Sequence, residues 1–193
     1  MKNAILIIVL GVFVSGCALT VDEIHVPYEG KANLNVVDGA EKIFVTVAHA
    51  DKHTVFKDRV GAKKNGYGME MASIVPTNDI ARTFAVAVKF ELENLGFKIG
   101  EGGKTVRVDL IRFYNGFKMG FFAGDAVADG LINVAILDST GTIIFSRPYK
   151  GGGVVDNIQL ATGENAREAL IKEISDIVGK VAHDKQLHKI LSR

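Results

Sequence analysis

The hydrophobic positions along the chain follow two periods, and each period predicts a different kind of element. Near the middle, apolar residues recur every three or four positions, which predicts a helix with one buried face. The residues of this face are Ile80, Phe84, Val88, Leu92 and Leu95, with Ala81, Ala85, Val86 and Ala87 widening it. We expect Thr77 or Asn78 to cap the helix and Gly96 to end it in a left-handed conformation.

A second helical period and several β-branched runs complete the pattern. The period predicts a helix from Thr162 to about Leu187, with Leu170, Ile174, Ile177 and Val181 on its buried face. Strands are predicted over 41–48, 104–114, 129–137 and 142–149, with a hairpin turn at 138–141. Three consecutive glycines at 151–153 are expected to break the sheet. The order of elements predicts an α+β fold, with a mostly antiparallel sheet packed against two long helices in a single domain.

The first residues form a separate segment. Lys2 precedes an apolar run from Ala4 to Val14, which is shorter than the roughly 20 residues that span a bilayer. The small residues Ser15 and Gly16 follow, and then Cys17. Such a sequence is typical of a cleaved secretory signal peptide, although a signal-anchor helix with an incidental cysteine remains an alternative.

The end of that segment, from Val14 to Cys17, is similar to the lipobox of bacterial lipoproteins. The similarity implies that residues 1–16 are removed and that Cys17 carries a diacylglycerol group and a palmitoyl chain. Several acyl chains are enough for stable membrane anchoring. We therefore divide the chain into a signal peptide (1–16), a lipidated N-terminus and short tether (17–40) and a periplasmic domain (41–193).

Composition and charge exclude some functions. Lys and Arg number 23 against 22 Asp and Glu, which gives a formal net charge of +1. Nucleic-acid binding needs a concentrated basic surface, so we expect no nucleic-acid partner. Cys17 is the only cysteine, so neither a disulfide nor a catalytic thiol is expected once it is acylated.

Two short motifs suggest chemistry but have the wrong context. The run Gly100 to Thr105 resembles a phosphate-binding loop, but a Walker loop needs an earlier glycine and a following helix; we expect a glycine-rich hairpin turn. His49 and His53 could share a metal ion if they lay on a helix, but their position predicts a solvated loop. We expect no metal, no cofactor and no enzymatic activity.

The segment from Phe113 to Gly124 is the best candidate for a binding site. Gly116, Gly120 and Gly124 alternate with large apolar residues, and the candidate partner-binding residues are Phe117, Met119, Phe121 and Phe122. As a helix the segment would offer a close-packing face. As a loop it would present aromatic side chains to a protein partner or to lipid headgroups. The alternative is that these aromatics fold back onto the core.

Across the length that follows the signal peptide, the order of features resembles the YajG-like family of uncharacterised bacterial lipoproteins. The features are the lipobox, the strand leading to Asp51, the helix that ends at Leu95-Gly96-Phe97, the strand from Val106 to Leu110 and the closing helix ending in 184–191. His53 departs from the family, which often has Arg at that position. The resemblance implies a membrane-anchored periplasmic domain of no established biochemical activity.

These observations together predict a function in the cell envelope. The resemblance to enterobacterial lipoproteins implies that an Asp after the acylated cysteine would retain the protein at the inner membrane. Ala18 stands there instead, so we expect the outer membrane, with the domain facing the periplasm. The first hypothesis is a protein-docking or assembly-accessory lipoprotein with an envelope protein as partner. The alternative is a carrier of a lipid or another apolar ligand, with the cavity enclosed between the helices and the sheet.

Overall fold

A computed structural model of the chain describes residues 19–30 and 35–193. In this part of the chain, eight strands form one sheet. The strands are β1 (Asp22–Ile24), β2 (Phe44–Asp51), β3 (Gly61–Lys64), β4 (Glu70–Pro76), β5 (Lys98–Ile99), β6 (Lys104–Met119), β7 (Gly124–Leu137) and β8 (Ile143–Ile158). The helices are α1 (Ile80–Asn94), α2 (Gly163–Ala182) and α3 (Lys185–Leu191), and a 3₁₀ turn spans Ala40–Lys42. Cys17 and the predicted signal peptide lie outside the described residues.

Strand β6 is the centre of the sheet. Along one edge it pairs with β7, and β8 follows as the outermost strand. Along its other edge, the first half of β6 pairs with β2, and Asn115 in its second half pairs with Gly61 of β3. Strands β4 and β1 continue the sheet beyond β3, and β5 lies beyond β2. Two long helices, α1 and α2, pack against β6 and against each other.

The α+β prediction is confirmed, but the sheet is mixed rather than mostly antiparallel. The pairs β1–β4, β2–β5, β2–β6 and β3–β6 are parallel, whereas β3–β4, β6–β7 and β7–β8 are antiparallel. Each parallel pair joins strands that are not consecutive in the chain, because parallel neighbours need a crossover connection that is longer than a hairpin turn. The antiparallel prediction was right for the long β6–β7–β8 meander.

Helix α1 has the buried face that its period predicts. All five residues of the predicted stripe are buried, and Gly96 follows with φ of 97°. The N-cap is Asp79, whose carboxylate accepts a hydrogen bond from the Arg82 amide at 3.0 Å. The two predicted caps, Thr77 and Asn78, instead bond to the backbone of Ile24 and of Val26, respectively. Val86 was expected on the buried face but is exposed.

The second predicted helix is two helices. Thr162 caps α2 by accepting a hydrogen bond from the Asn165 amide, as predicted. Helix α2 ends at Ala182, and Asp184 begins α3 by accepting from the amides of Gln186 and Leu187. A residue that caps the N-terminus of a following helix has extended backbone and interrupts the helical hydrogen bonds. The prediction of one helix to about Leu187 was therefore wrong at its end.

The glycines of β8 do not break the sheet. Two of them, Gly151 and Gly153, lie beneath α2, where a side chain would collide with the helix: a Cβ at Gly153 would stand 2.0 Å from the Ala169 carbonyl oxygen. On the neighbouring strand, a Cβ at Gly130 would stand 1.7 Å from Glu173 Oε1. Glycine is used where another backbone approaches closely. These positions let α2 lie unusually near the sheet.

Part of the segment predicted as a tether belongs to the folded domain. Strand β1 pairs with β4, and Val26 is fully buried. The Asp22 carboxylate accepts from Lys63 Nζ at 2.9 Å and from the Gly163 amide at 2.7 Å. The start of β1 is thus bonded both to the sheet and to the first residue of α2, so the ordered fold extends N-terminal to residue 41.

Candidate functional site

The aromatic segment is the end of β6 and the turn into β7. The chain remains extended to Met119, and the Gly120 amide donates to the Ala123 carbonyl at 2.9 Å to close a hairpin. We call residues 120–123 the aromatic tip. The sequence analysis left three interpretations of this segment open: a helix, an exposed loop, or a segment packed on the core. In the structure, the strand part packs on the core and the turn is exposed.

Strand alternation divides the four predicted binding residues into two pairs. Phe117 is buried and Met119 packs against the core on the face that bears the helices. Phe121 and Phe122, beyond the end of the strand, are 93% and 85% exposed. Their ring centroids are 4.8 Å apart in a T-shaped arrangement. The tip therefore presents two adjacent phenylalanines, while Phe117 and Met119 fix the strand beneath it.

Other exposed apolar side chains lie at the same end of the sheet. Strand β3 runs parallel to β6, so the turn that follows β3 projects beside the aromatic tip. That turn carries Tyr67, which is 91% exposed, and leads to the exposed Met69. Strand β8 ends at this level too, since Ile158 pairs with Gly124, and the exposed Leu160 follows it. We call Tyr67, Met69, Phe121, Phe122 and Leu160 the aromatic end.

Sequence reasoning missed the contribution of Tyr67 and Leu160. Both stand in polar or glycine-rich stretches, and neither is part of an apolar period. Their proximity to the aromatic tip depends on the pairing of β3 with β6 and of β8 with β7. An isolated tyrosine between Gly66 and Gly68 was the only local signal.

A groove of about 520 Å³ lies next to the end of β6. Its walls are lined mainly by apolar and aromatic residues: Val55, Phe56, Phe113, Tyr114, Phe117 and Val127, with Arg112, Lys118 and Asp129 at polar positions. Gly116 belongs to the same lining, and a Cβ there would have only one neighbouring atom, at 4.0 Å. Phe117, the buried member of the predicted site, is thus also one of the residues that line this groove.

Phe56 closes one side of this groove. Its backbone φ is 56°, a left-handed conformation that residues other than glycine rarely adopt. Its ring stacks on Tyr114 with centroids 4.5 Å apart, and the Arg59 guanidinium lies 4.7 Å from its centroid. Burial raises the pKa of Tyr114; Arg59 opposes that shift and Glu70 adds to it. Phe56 stands in a polar stretch and carries no local signal of this role.

The residues considered for metal binding have other partners. His49 lies 3.9 Å from Asp79, and His53 Nδ1 contacts Asp51 Oδ1. Within residues 19–30 and 35–193, no group of three or more His, Cys, Asp and Glu side chains is placed to hold a metal ion.

The run Gly100 to Gly103 crosses the end of β2, linking β5 on one side to β6 on the other. It is therefore a crossover and not the hairpin turn that we expected.

Two buried carboxyl groups lie away from the aromatic end. Glu91 Oε1 accepts a hydrogen bond from the Tyr28 hydroxyl; burial and then this bond raise the pKa of Tyr28. Glu173 is fully buried under α2, and neither carboxyl oxygen has a hydrogen-bond partner among the described residues. Burial raises the pKa of Glu173 well above its usual range, with Asp129 and Asp176 adding to the shift. These groups belong to the packing of the helices.

Several solved structures are similar to this chain at low sequence identity. Protein XCC0632 from Xanthomonas campestris is 13% identical, covering 89% of this chain and 99% of its own, with a TM-score of 0.46. A minor lipoprotein from Acinetobacter baumannii is 10% identical, covering 76% of this chain and 92% of its own, with a TM-score of 0.44. Likeness at this level says nothing about function. No curated protein matches the chain.

The family comparison is more informative. Among the described residues, no helix has the length and apolarity needed to cross a membrane. A family model described as "Uncharacterized lipoprotein" matches residues 31–192, which is most of the chain and nearly all of the folded domain. The chain belongs to this family of uncharacterised bacterial lipoproteins, as its sequence resemblance implied.

Proposed function

We propose that this protein is a lipoprotein held by acyl groups on Cys17 in the outer membrane, and that its domain faces the periplasm. In this proposal the domain acts by docking onto another component of the envelope, without catalysis. The observation that carries the docking role is the aromatic tip, where Phe121 and Phe122 stand almost fully in solvent.

Leaving two phenylalanine rings in water is energetically unfavourable, and this supports a role for the tip in contacting another surface. Covering a phenylalanine side chain is worth about 1.5–3 kcal/mol, and neither tip ring obtains this from the domain itself. Scattered exposed apolar residues are ordinary, but a cluster of them indicates a contact surface. Phenylalanine, tyrosine and methionine are also the residue types enriched in the cores of interfaces. The aromatic end has all three.

Anchoring can be tested by mass spectrometry of the mature N-terminus. We expect a chain beginning at Cys17 that carries diacylglycerol and a fatty acyl chain. A Cys17→Ser variant should carry neither group, because it has no acylation site. An unmodified N-terminus upstream of residue 17 would refute the anchor.

Docking can be tested by photocrosslinking in cells. A photoreactive residue at Phe122 should form adducts, and Phe121→Ser should reduce them. Thr140 provides a matched control, since it is exposed in the tight turn at the opposite end of β7. Adducts of equal yield at both positions, or none at Phe122, would contradict docking through the tip.

A second candidate function is an apolar-ligand carrier, which the groove beside β6 favours. Its volume of about 520 Å³ lies within the range of ligand sites. The larger space of about 560 Å³ between α1 and α2 is lined by Arg167, Glu168 and Lys172 and suits an apolar ligand less well. We expect Gly116→Val to lower the affinity for a fluorescent fatty acid without changing stability. Equal affinity in the variant would argue against this groove as the site.

A further inference from the structure

We infer that the envelope component contacted by the aromatic tip is the lipid bilayer itself, with the aromatic end resting in the membrane interface. This inference builds on the proposed anchoring at Cys17. It assigns the domain an orientation: the end bearing the two hairpin turns faces the membrane, and the opposite end faces the periplasm.

The first argument is the direction from which the chain enters the sheet. Strand β4 begins at the aromatic end, because its first residue, Glu70, pairs with Lys64 next to the Tyr67 turn. Strand β1 is parallel to β4, with Asp22 opposite Ile74. Residues 19–21, which precede Asp22, therefore lie on the side of the aromatic end. Leu19 and Val21, both exposed, belong to this stretch.

The second argument is the short distance between the anchor and the domain. Cys17 is five residues before Asp22, and an extended chain covers at most about 3.5 Å per residue. The acylated residue therefore stays within about 18 Å of Asp22. Asp22 is fixed by its bonds to Lys63 and to the Gly163 amide. The anchor thus holds this end of the domain at the membrane surface.

The third argument is the chemistry of the surface that is held there. Two separate turns and the end of β8 bring aromatic and aliphatic side chains to one end. Aromatic side chains favour the boundary between lipid headgroups and acyl chains. Charged residues of both signs lie near this end, among them Lys118 opposite Asp125 and Lys64 opposite Glu70. We therefore expect apolar insertion that does not require anionic lipid.

The absence of tryptophan from the sequence provides a direct test. The lipidated full-length protein carrying Phe122→Trp is reconstituted into phosphatidylethanolamine–phosphatidylglycerol (3:1, about physiological in charge) vesicles with brominated acyl chains. A second variant, Tyr67→Trp, places the probe on the neighbouring turn. Phe44→Trp is the control, because Phe44 is partly exposed and begins β2 at the opposite end, beside the start of β6.

We expect the tryptophan fluorescence of the Phe122→Trp and Tyr67→Trp variants to be quenched at least twofold more than that of Phe44→Trp. Because position 67 lies on a different turn, the Tyr67→Trp probe still reports membrane contact if the Phe122→Trp substitution disturbs the tip. Adding Phe121→Ser and Phe122→Ser to the Tyr67→Trp variant should weaken the quenching of its probe and leave the circular dichroism unchanged. Replacing the anionic lipid by phosphatidylcholine should leave the quenching intact.

Equal quenching of the three variants would overturn the inferred orientation. An unquenched probe at position 122 together with a protein adduct at Phe122 in cells would show that the tip docks on a protein, so docking would stand and the bilayer contact would fall. An unacylated Cys17 would refute the anchor by mass spectrometry, independently of the quenching result.

Discussion

At the scale of single residues, Glu173 is the most unusual group in the domain. It is fully buried, and its carboxyl oxygens have no hydrogen-bond partner among the described residues. Burial, and then Asp129 and Asp176, raise its pKa well above the ordinary value of 4.5, while Arg112 opposes the shift. The folded state therefore keeps a proton that the unfolded chain loses above about pH 4.5. Its contribution to stability falls as pH rises from that value towards the raised pKa.

We expect Glu173→Gln to remove this dependence, because glutamine stays neutral at every pH. The free energy of unfolding of the variant should rise relative to that of wild type as the pH increases above about 4.5, by up to about 1.4 kcal/mol per pH unit. Urea unfolding at several pH values measures the difference. Burial lowers the pKa of His188, but both proteins contain this residue. Its effect on the pH dependence of stability therefore cancels when the two are compared.

Glu168→Gln is the matched control on the same helix. Glu168 is exposed and pairs with Lys172 at 2.8 Å, a surface contact of little consequence for stability. Its replacement should leave the pH profile parallel to that of wild type. Parallel profiles for Glu173→Gln as well would show that Glu173 is ionised in the folded protein.

Gly153 allows a second residue-scale prediction. A Cβ at this position would meet backbone atoms of α2, the Ala169 oxygen at 2.0 Å and the Glu173 nitrogen at 2.8 Å. Backbone cannot rotate aside, so the helix must move away from the sheet. We expect Gly153→Ala to destabilise the protein by about 1–3 kcal/mol or more in urea unfolding. Gly116→Ala, in another strand but with open space around its Cβ, should change stability little; equal effects of the two would refute the close-approach explanation.

At the scale of elements, the outermost strand β8 is protected by α2. Lys180 donates to the Lys150 carbonyl at 2.9 Å, Asp176 accepts from the Gly152 amide at 3.1 Å, and Lys172 donates to the Val154 carbonyl at 3.1 Å. The three side chains are four residues apart, so they form one row along the helix. An edge strand with free backbone groups is a template for pairing with another chain.

We expect the triple variant Lys172→Ala, Asp176→Ala and Lys180→Ala to associate more than wild type, because it exposes the backbone of β8. Analytical ultracentrifugation should show a larger share of high-mass species. Lys89→Ala, an exposed change on α1, is the control and should sediment like wild type. A triple variant with the wild-type distribution would show that the row does not protect the edge.

The elements also show which features the sequence could predict. The five-residue stripe of α1 and the hairpin turn at Asp138 follow from local periods and turn chemistry, and the structure has both. The parallel pairing of β2 with β6 could not be predicted, since it joins residues more than fifty positions apart. The glycines at 151–153 were misread for the same reason: only the position of α2 shows that they accommodate a helix. The sequence placed the four candidate residues in one segment but could not assign their exposure: alternation along β6 buries Phe117 and half-buries Met119, while the turn exposes Phe121 and Phe122.

At the scale of the whole molecule, the N-terminal segment is part of the fold as well as the link to the proposed anchor. Ile24 and Val26 are buried, and Asn78 bonds both backbone groups of Val26. Lys63, whose side chain is 7% exposed, pairs with Asp22. Burying two such aliphatic side chains contributes about 3–6 kcal/mol, and the Asp22–Lys63 pair adds to this. Their sum is comparable with the roughly 5–15 kcal/mol that stabilises a typical domain.

We therefore expect a chain that begins at Asn35 to be unfolded or only marginally folded at 25 °C, although it contains the whole of the domain that the sequence predicts, 41–193. A chain that begins at Leu19 retains β1 and should unfold cooperatively in urea. Circular dichroism and urea titration of the two chains measure the difference. Similar midpoints would show that residues 19–34 only tether the domain. If the shorter chain unfolds, the segment that leads from Cys17 is itself built into the sheet, and this rigid connection is what would keep the aromatic end directed at the membrane.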